Sequence, residues 1–152
     1  MGTVTAAEPE SRLEWSTPPT ALAAAVVGGI ALAGAAALAA DGPSRLLVGL
    51  AAAMLLGLAV LGLRQRPRLT IVPGDRPRLI VRGLFGPAEY PAERILRARV
   101  VDFRRLGRRV PNLELDVEQH GDERLLIFGR WDLGTHPEDV LDAMRAHGLV
   151  PD

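Results

Sequence analysis

Cysteine and lysine are missing from this chain, and all 18 of its basic residues are arginine. The first absence removes a disulfide framework, a thiolate nucleophile and any cysteine-based zinc site. From Arg64 to Asp152 serine is absent too, and the hydroxyls are limited to Thr70, Tyr90 and Thr135. Nucleophilic catalysis therefore has almost nothing to work with, and no enzyme is expected. Histidine is scarce: His120, His136 and His147 are too far apart to form a metal pair, and each reads as a surface residue. Asp116, Glu118, Asp122 and Glu123 are the other conceivable cation ligands, but the first two belong to an alternating solvent face and the others to a turn. No glycine-rich phosphate loop precedes a helix, so neither metal nor cofactor is expected. Aromatics make up 4% of the chain, and basic charge without interleaved aromatics argues against a nucleic-acid partner.

What the chain does have is two long apolar runs. Thr20 to Ala40 and Leu46 to Leu63 hold no charged residue and are separated only by Asp41-Gly42-Pro43-Ser44-Arg45. At about 1.5 Å per residue they make roughly 31 Å and 27 Å of helix, enough for a hydrocarbon core of about 30 Å. A polar loop with glycine and proline between them predicts a transmembrane hairpin over 20–63, with both chain ends on one side. Ala37-Leu38-Ala39 before Ala40-Asp41 resembles a signal-peptide cleavage site, but the preceding segment carries Glu8, Glu10 and Glu14 against Arg12, the reverse of a basic leader. Neither span contains an ionisable residue, which disfavours a transport pathway.

Arginine sets the orientation. Arg64, Arg66 and Arg68 follow the second span, whereas the hairpin loop has Arg45 alone, so the positive-inside rule predicts both termini in the cytoplasm of a multi-pass plasma-membrane protein. Residues 1–19 have no apolar period and carry Pro9, Pro18 and Pro19, which predicts a disordered cytoplasmic tail. Trp15, five residues before the first span, reads as an interfacial anchor. Small residues recur every fourth position at Ala25, Gly29, Ala33 and Ala37, and again at Gly49, Ala53 and Gly57, which predicts close packing of the two spans on one another.

The net charge of zero conceals a polarity. From Arg64 to Arg109 there are 13 arginines against Asp75, Glu89, Glu93 and Asp102, a balance of +9. From Val110 to Asp152 three arginines face ten acids, a balance of −7. Four of the arginines cluster in Arg104-Arg105-Leu106-Gly107-Arg108-Arg109, a strand-to-strand loop that could reach anionic headgroups together with Arg64, Arg66 and Arg68. The competing reading leaves the arginines solvated or pairs them across strands with Glu114, Asp116 and Glu118.

Beyond Leu63 the apolar period drops to two. Strands are predicted from Arg68 to Val72, Pro77 to Phe85, Ile95 to Arg104, Leu113 to Glu118 and Arg124 to Phe128, with turns at Pro73-Gly74-Asp75 and His120-Gly121-Asp122-Glu123. Leu113, Leu115 and Val117 should face the core and Glu114, Asp116 and Glu118 the solvent. A final helix should start at a Thr135 cap with Glu138 reaching back, and end at Gly148. Strands first and a helix last predict a mainly-β, α+β domain over 64–148: an antiparallel bent sheet or open barrel plugged by the helix, with 149–152 as a tail.

Arg82-Gly83, Pro91 with Ile95 four residues on, Leu113 to Val117, Gly129, and Trp131-Asp132-Leu133-Gly134 leading to Pro137 and Val140 carry a resemblance behind the two-helix anchor. The chain looks like the actinobacterial membrane proteins of the low molecular weight protein antigen 6 family, which carry a bacterial pleckstrin-homology-like (PH-like) domain. Ala92 stands where such domains often have an aromatic, and Tyr90 precedes it. The resemblance implies a fold and a membrane location without a settled activity. The expected function is thus a non-enzymatic, membrane-anchored module that serves protein interaction or scaffolding, with an unknown protein partner. The alternative is a sensor of anionic lipid headgroups or a small ligand that uses the arginine loop.

Overall fold

The computed structural model describes residues 11–152. They divide into two compact units, one running from Thr17 to Arg66 and the other combining Pro67–Asp152 with the segment up to Ser16. The first ten residues of the expected tail lie outside the described part.

The first unit is a helical hairpin. Helix α1 spans Pro19–Leu38 and α2 spans Gly42–Arg64, both long and apolar enough to cross a membrane. Asp41 caps α2 by accepting the Ser44 amide at 2.8 Å, and this bond holds its carboxyl below the ordinary value. The Arg45 guanidinium donates to the Ala39 carbonyl at 2.9 Å and closes the loop. Outside, Val27, Ile30, Leu46, Leu47, Leu50, Met54 and Leu58 are exposed, a surface suited to lipid and unlike the buried core helix of a soluble protein.

The seam between α1 and α2 repeats every seven residues, not every four. Leu22, Gly29 and Ala36 are buried on α1, Ala52 and Ala59 on α2, while Ala33, Ala37, Ala53 and Gly57 face outward. A four-residue step overshoots a helical turn by about 40°, so a period-four stripe leaves the contact line within a few steps, whereas seven residues fall about 20° short of two turns. Gly29 shows why a small residue is needed there: a Cβ would sit 2.5 Å from Leu56 Cδ2.

The second unit packs two antiparallel sheets. Strands β1 (Leu13–Trp15), β2 (Leu69–Val72), β3 (Arg78–Gly83) and β4 (Gly86–Pro91) form one sheet in that order. A single turn at Ala92–Arg94 leads to the other, β5 (Ile95–Arg105), β6 (Arg108–Gln119) and β7 (Asp122–Gly129). A short helix α3 (Arg130–Leu133) and the terminal α4 (Pro137–Ala146) follow. Asp132 accepts the Gly129 amide at 3.0 Å and starts α3, which explains the Trp131-Asp132-Leu133-Gly134 motif: the aspartate caps, Leu133 is buried, and Gly134 closes the turn at φ +69°.

Leu69 and Ile71, Leu79 and Val81, Tyr90, Ile95, and Leu113, Leu115 and Val117 meet Phe128, Val140, Leu141 and Met144 in one core. The alternation expected along β6 holds for the three apolar residues. Glu114 departs from it: it is only 7% exposed, because Arg99, directly opposite on β5, lies on the same face and holds it at 2.8 Å. The cap of α4 is His136, not Thr135. Pro137 forces the residue before it into extended backbone, so the helix cannot begin earlier; His136 Nδ1 accepts the Glu138 amide, and Thr135 Oγ1 donates to Asp139 instead.

The segment read as tail also changes. Leu13–Trp15 is the strand β1, with Leu13 opposite Ile71 and Trp15 opposite Leu69. The helical hairpin is therefore an insertion between two adjacent strands of one sheet.

Candidate functional site

Three residues, Ser16-Thr17-Pro18, connect β1 to α1, and four, Gln65-Arg66-Pro67-Arg68, connect α2 to β2. At about 3.5 Å per extended residue, neither tether reaches much beyond 14 Å. The sequence-predicted residues near this junction separate by role. Trp15, expected as an interfacial anchor, is half-buried and packs against the core from β1. Arg68 is turned inward: its guanidinium donates to the Arg82 carbonyl at 2.6 Å and lies over the Phe128 ring, 5.6 Å from the centroid. Arg64 is exposed in the last turn of α2, and Arg66 is half-buried.

The arginine cluster is not an open loop. Leu106 and Gly107 form a two-residue turn at φ +48° and +77°, and the strands continue to its base. Arg104 then stands opposite Arg109 and Arg105 opposite Arg108, all four exposed. Among the described residues none of the four enters an ion pair. Pairing with Glu114 is prevented by the register, since Glu114 is opposite Arg99 and five residues from Arg109 along β6. Like charges directly opposed in an antiparallel pair repel, so the tip is a cationic hairpin under mild strain that an anionic surface would relieve. Leu106, at its apex, is fully exposed.

A second hairpin tip carries no signal that the charge pattern could reveal. Gly83 pairs with Gly86, leaving Leu84 and Phe85 as a two-residue turn, 66% and 104% exposed. The clue in the sequence was two large apolar residues in succession inside Gly83-Leu84-Phe85-Gly86, which an alternating strand cannot bury together.

Both tips have a defined direction within the domain. Trp15 pairs with Leu69 and Leu69 with Val81, and the Arg82 amide donates to the Arg68 carbonyl at 3.0 Å. Leu84 and Phe85 thus project past the same end of the first sheet from which the tethers depart. Two contacts align the second sheet with the first: Arg68 over Phe128 at this end, and the Tyr90 hydroxyl donating to Gln119 Oε1 at 3.3 Å toward the other. Because Phe128 pairs with Leu113, the β5–β6 hairpin runs on from that level and its arginine tip overshoots on the tether side.

Between the edge strands β4 and β7 the two sheets leave a groove of about 420 Å³, lined by Phe85, Ala88, Tyr90, Leu125 and Ile127 among others. Leu125 and Ile127 are about half exposed. The histidines are dispersed, on the β6–β7 turn and at either end of α4, and no three His, Asp or Glu residues among those described are close enough to hold a metal.

Residues 66–149 match the family described as Bacterial PH domain. The chain belongs to this bacterial PH domain family. Two uncharacterized proteins of Mycobacterium tuberculosis, from strains CDC 1551 / Oshkosh and ATCC 25618 / H37Rv, are each 40% identical to it over 137 residues, covering 90% of this chain and 93% of theirs. That coverage includes most of the hairpin as well as the PH domain. No solved structure matches the chain. The matched residues hold β2 to β7, α3 and α4, and β1, from the far side of the hairpin, adds an edge strand to the first sheet.

Proposed function

We propose that this protein is a non-enzymatic, membrane-anchored recognition module, with its PH domain at the cytoplasmic face of a bacterial plasma membrane and a protein as its partner. We extend to it the kinship with the actinobacterial low molecular weight protein antigen 6 proteins, on the residues that carry that resemblance. One observation carries the reading: the spans are inserted between paired strands β1 and β2. Two short tethers, of three and four residues, join the domain to its anchor, which suits a surface kept close to the membrane. Orientation rests on Arg64 and Arg66 next to the second span against Arg45 in the loop. The groove between β4 and β7, with half-exposed Leu125 and Ile127 on an edge strand, fits an extended apolar segment that adds to the sheet edge. A photo-crosslinking residue at Ile127, in native membranes, should form a discrete adduct that the same group at exposed Asp122 does not. Identical adduct patterns from both positions would refute the partner reading.

A second reading has its own observation. Four mutually opposed arginines at one turn, none in an ion pair among the described residues, favour contact with anionic lipid. Full-length protein in anionic and in zwitterionic nanodiscs separates it: the tip should be shielded only in the former, and equal exposure in both would refute lipid contact.

A further inference from the structure

We propose that the Leu84–Phe85 turn is a membrane-inserting tip, which enters the headgroup region of the leaflet in which α1 and α2 are anchored. The inference rests on the membrane-tethered reading of the hairpin and adds a contact that the arginines do not supply.

Exposure is the first observation. Phe85 is 104% exposed and Leu84 66%, side by side at the end of a hairpin, whereas the rest of β3 alternates into the core through Leu79 and Val81. Isolated exposed apolar residues are ordinary on a protein surface. A Leu-Phe pair raised on a two-residue turn is less so: it stands at the mouth of the groove that Leu125 and Ile127 line, yet both side chains remain exposed. Gly86 at φ +121° and Pro87 fix the chain just after it.

Position is the second. The turn projects from the sheet end where β1 stops and β2 starts, and those strands reach the spans through only three and four residues, including Pro18 and Pro67. The sheet end that carries this turn is thus the end joined to the spans, by tethers no longer than about 14 Å.

Charge is the third. From Arg76 to Ala88 the chain contains Arg76, Arg78 and Arg82 and no acid, so the hairpin that carries the tip is attracted, not repelled, by an anionic leaflet. Glu89, the next acid, lies farther along β4 and is bridged to Arg78 at 3.4 Å. Leu106, exposed at the apex of the arginine tip on the same side, gives the domain a second apolar point directed the same way.

The absence of cysteine makes the test direct, since a single introduced cysteine labels one site. Leu84→Cys, Asp122→Cys on the β6–β7 turn at the other end, and Leu50→Cys on the outer face of α2 each carry an environment-sensitive fluorophore in full-length protein. The protein is reconstituted in phosphatidylcholine vesicles doped with a nitroxide-labelled lipid. Phosphatidylcholine is used because it attracts arginine weakly, isolating the apolar contribution. The expected result is a blue-shifted and nitroxide-quenched probe at position 84, a water-like, unquenched probe at 122, and loss of the shift at 84 when Phe85→Asp is added. Phe85 is fully exposed, so that substitution leaves the fold intact. A probe at 84 that matches the one at 122 while the Leu50 probe is quenched overturns the inserted tip alone and leaves Leu84 and Phe85 as a surface for a protein. A shift at 84 seen only when anionic lipid is added also overturns it, assigning the contact to arginine. An unquenched Leu50 probe overturns the tethered reading and the tip together.

Discussion

Replacing Arg105 and Arg108 with glutamine should move two properties in opposite directions. The two residues stand directly opposite one another at the β5–β6 tip, where a like-charged cross-strand pair costs on the order of 0.2 to 1 kcal/mol. Removing that repulsion should therefore leave the domain slightly more stable, by a few tenths to about 1 kcal/mol. If the tip docks on anionic headgroups, each arginine contributes about 1 kcal/mol of attraction, and the double substitution should weaken docking by about 2 kcal/mol, about thirty-fold. A structural role for the arginines would make both quantities fall together. Thermal unfolding in detergent reports the first, and a fluorophore on Leu106→Cys in phosphatidylglycerol nanodiscs reports the second. Salt supplies a further check, since raising it from about 0.01 M to about 1 M shortens the screening length from about 30 Å to about 3 Å and should undock the unsubstituted tip. The reasoning is refuted if the double variant is less stable, or if its docking in phosphatidylglycerol is unchanged.

Three other expectations follow from the packing. Gly29→Val should destabilise the helical hairpin by about 1 to 3 kcal/mol, because its Cβ collides with Leu56, whereas Gly57→Ala, which meets nothing within 4 Å, should be neutral or stabilising; unfolding in a detergent series reads both. Arg99→Ala, which strands the buried Glu114, should cost about 1 to 3 kcal/mol and more than Glu114→Gln, a difference that denaturant unfolding resolves. The Asp41 carboxyl sits below 3.8 when folded, so its cap on α2 is intact above that pH and is lost as pH falls through the lowered value; amide exchange at Ser44 should stay protected to below 3.8, and Asp41→Ala should remove the protection at every pH.

The parts of this fold that were legible in the sequence are those whose cause is local. Charge-free runs announce α1 and α2, Leu113, Leu115 and Val117 announce β6 by their alternation, and His120-Gly121 announces its turn. Strand β1 was not legible, because three residues carry no measurable period and its partner Leu69 lies beyond the whole helical hairpin. The spacing of small residues pointed to helix packing, and Gly29 and Gly49 do lie at the contact, but a stripe of period four leaves it at Ala33, Ala37, Ala53 and Gly57, where alanine satisfies the spacing by chance. Glu114 looked like a solvent residue because alternation says which face a side chain takes and nothing about what covers that face. For the candidate site, the arginines were visible as composition, but their opposition across a tight turn, the inward turn of Arg68 and the direction of the Leu84–Phe85 tip all depend on pairings between distant strands.

Everything proposed for the domain depends on which side of the membrane it occupies, and the cysteine-free chain allows this to be measured directly. Ser44→Cys lies in the first turn of α2, next to the hairpin bend, where only the backbone amide of Ser44 serves the Asp41 cap, and Asp122→Cys lies on the PH domain. With a membrane-impermeant thiol reagent applied to intact cells, the account predicts that position 44 is labelled and position 122 is not, with position 122 becoming reactive in inverted vesicles. Labelling of position 122 from outside intact cells, with position 44 protected, would contradict it.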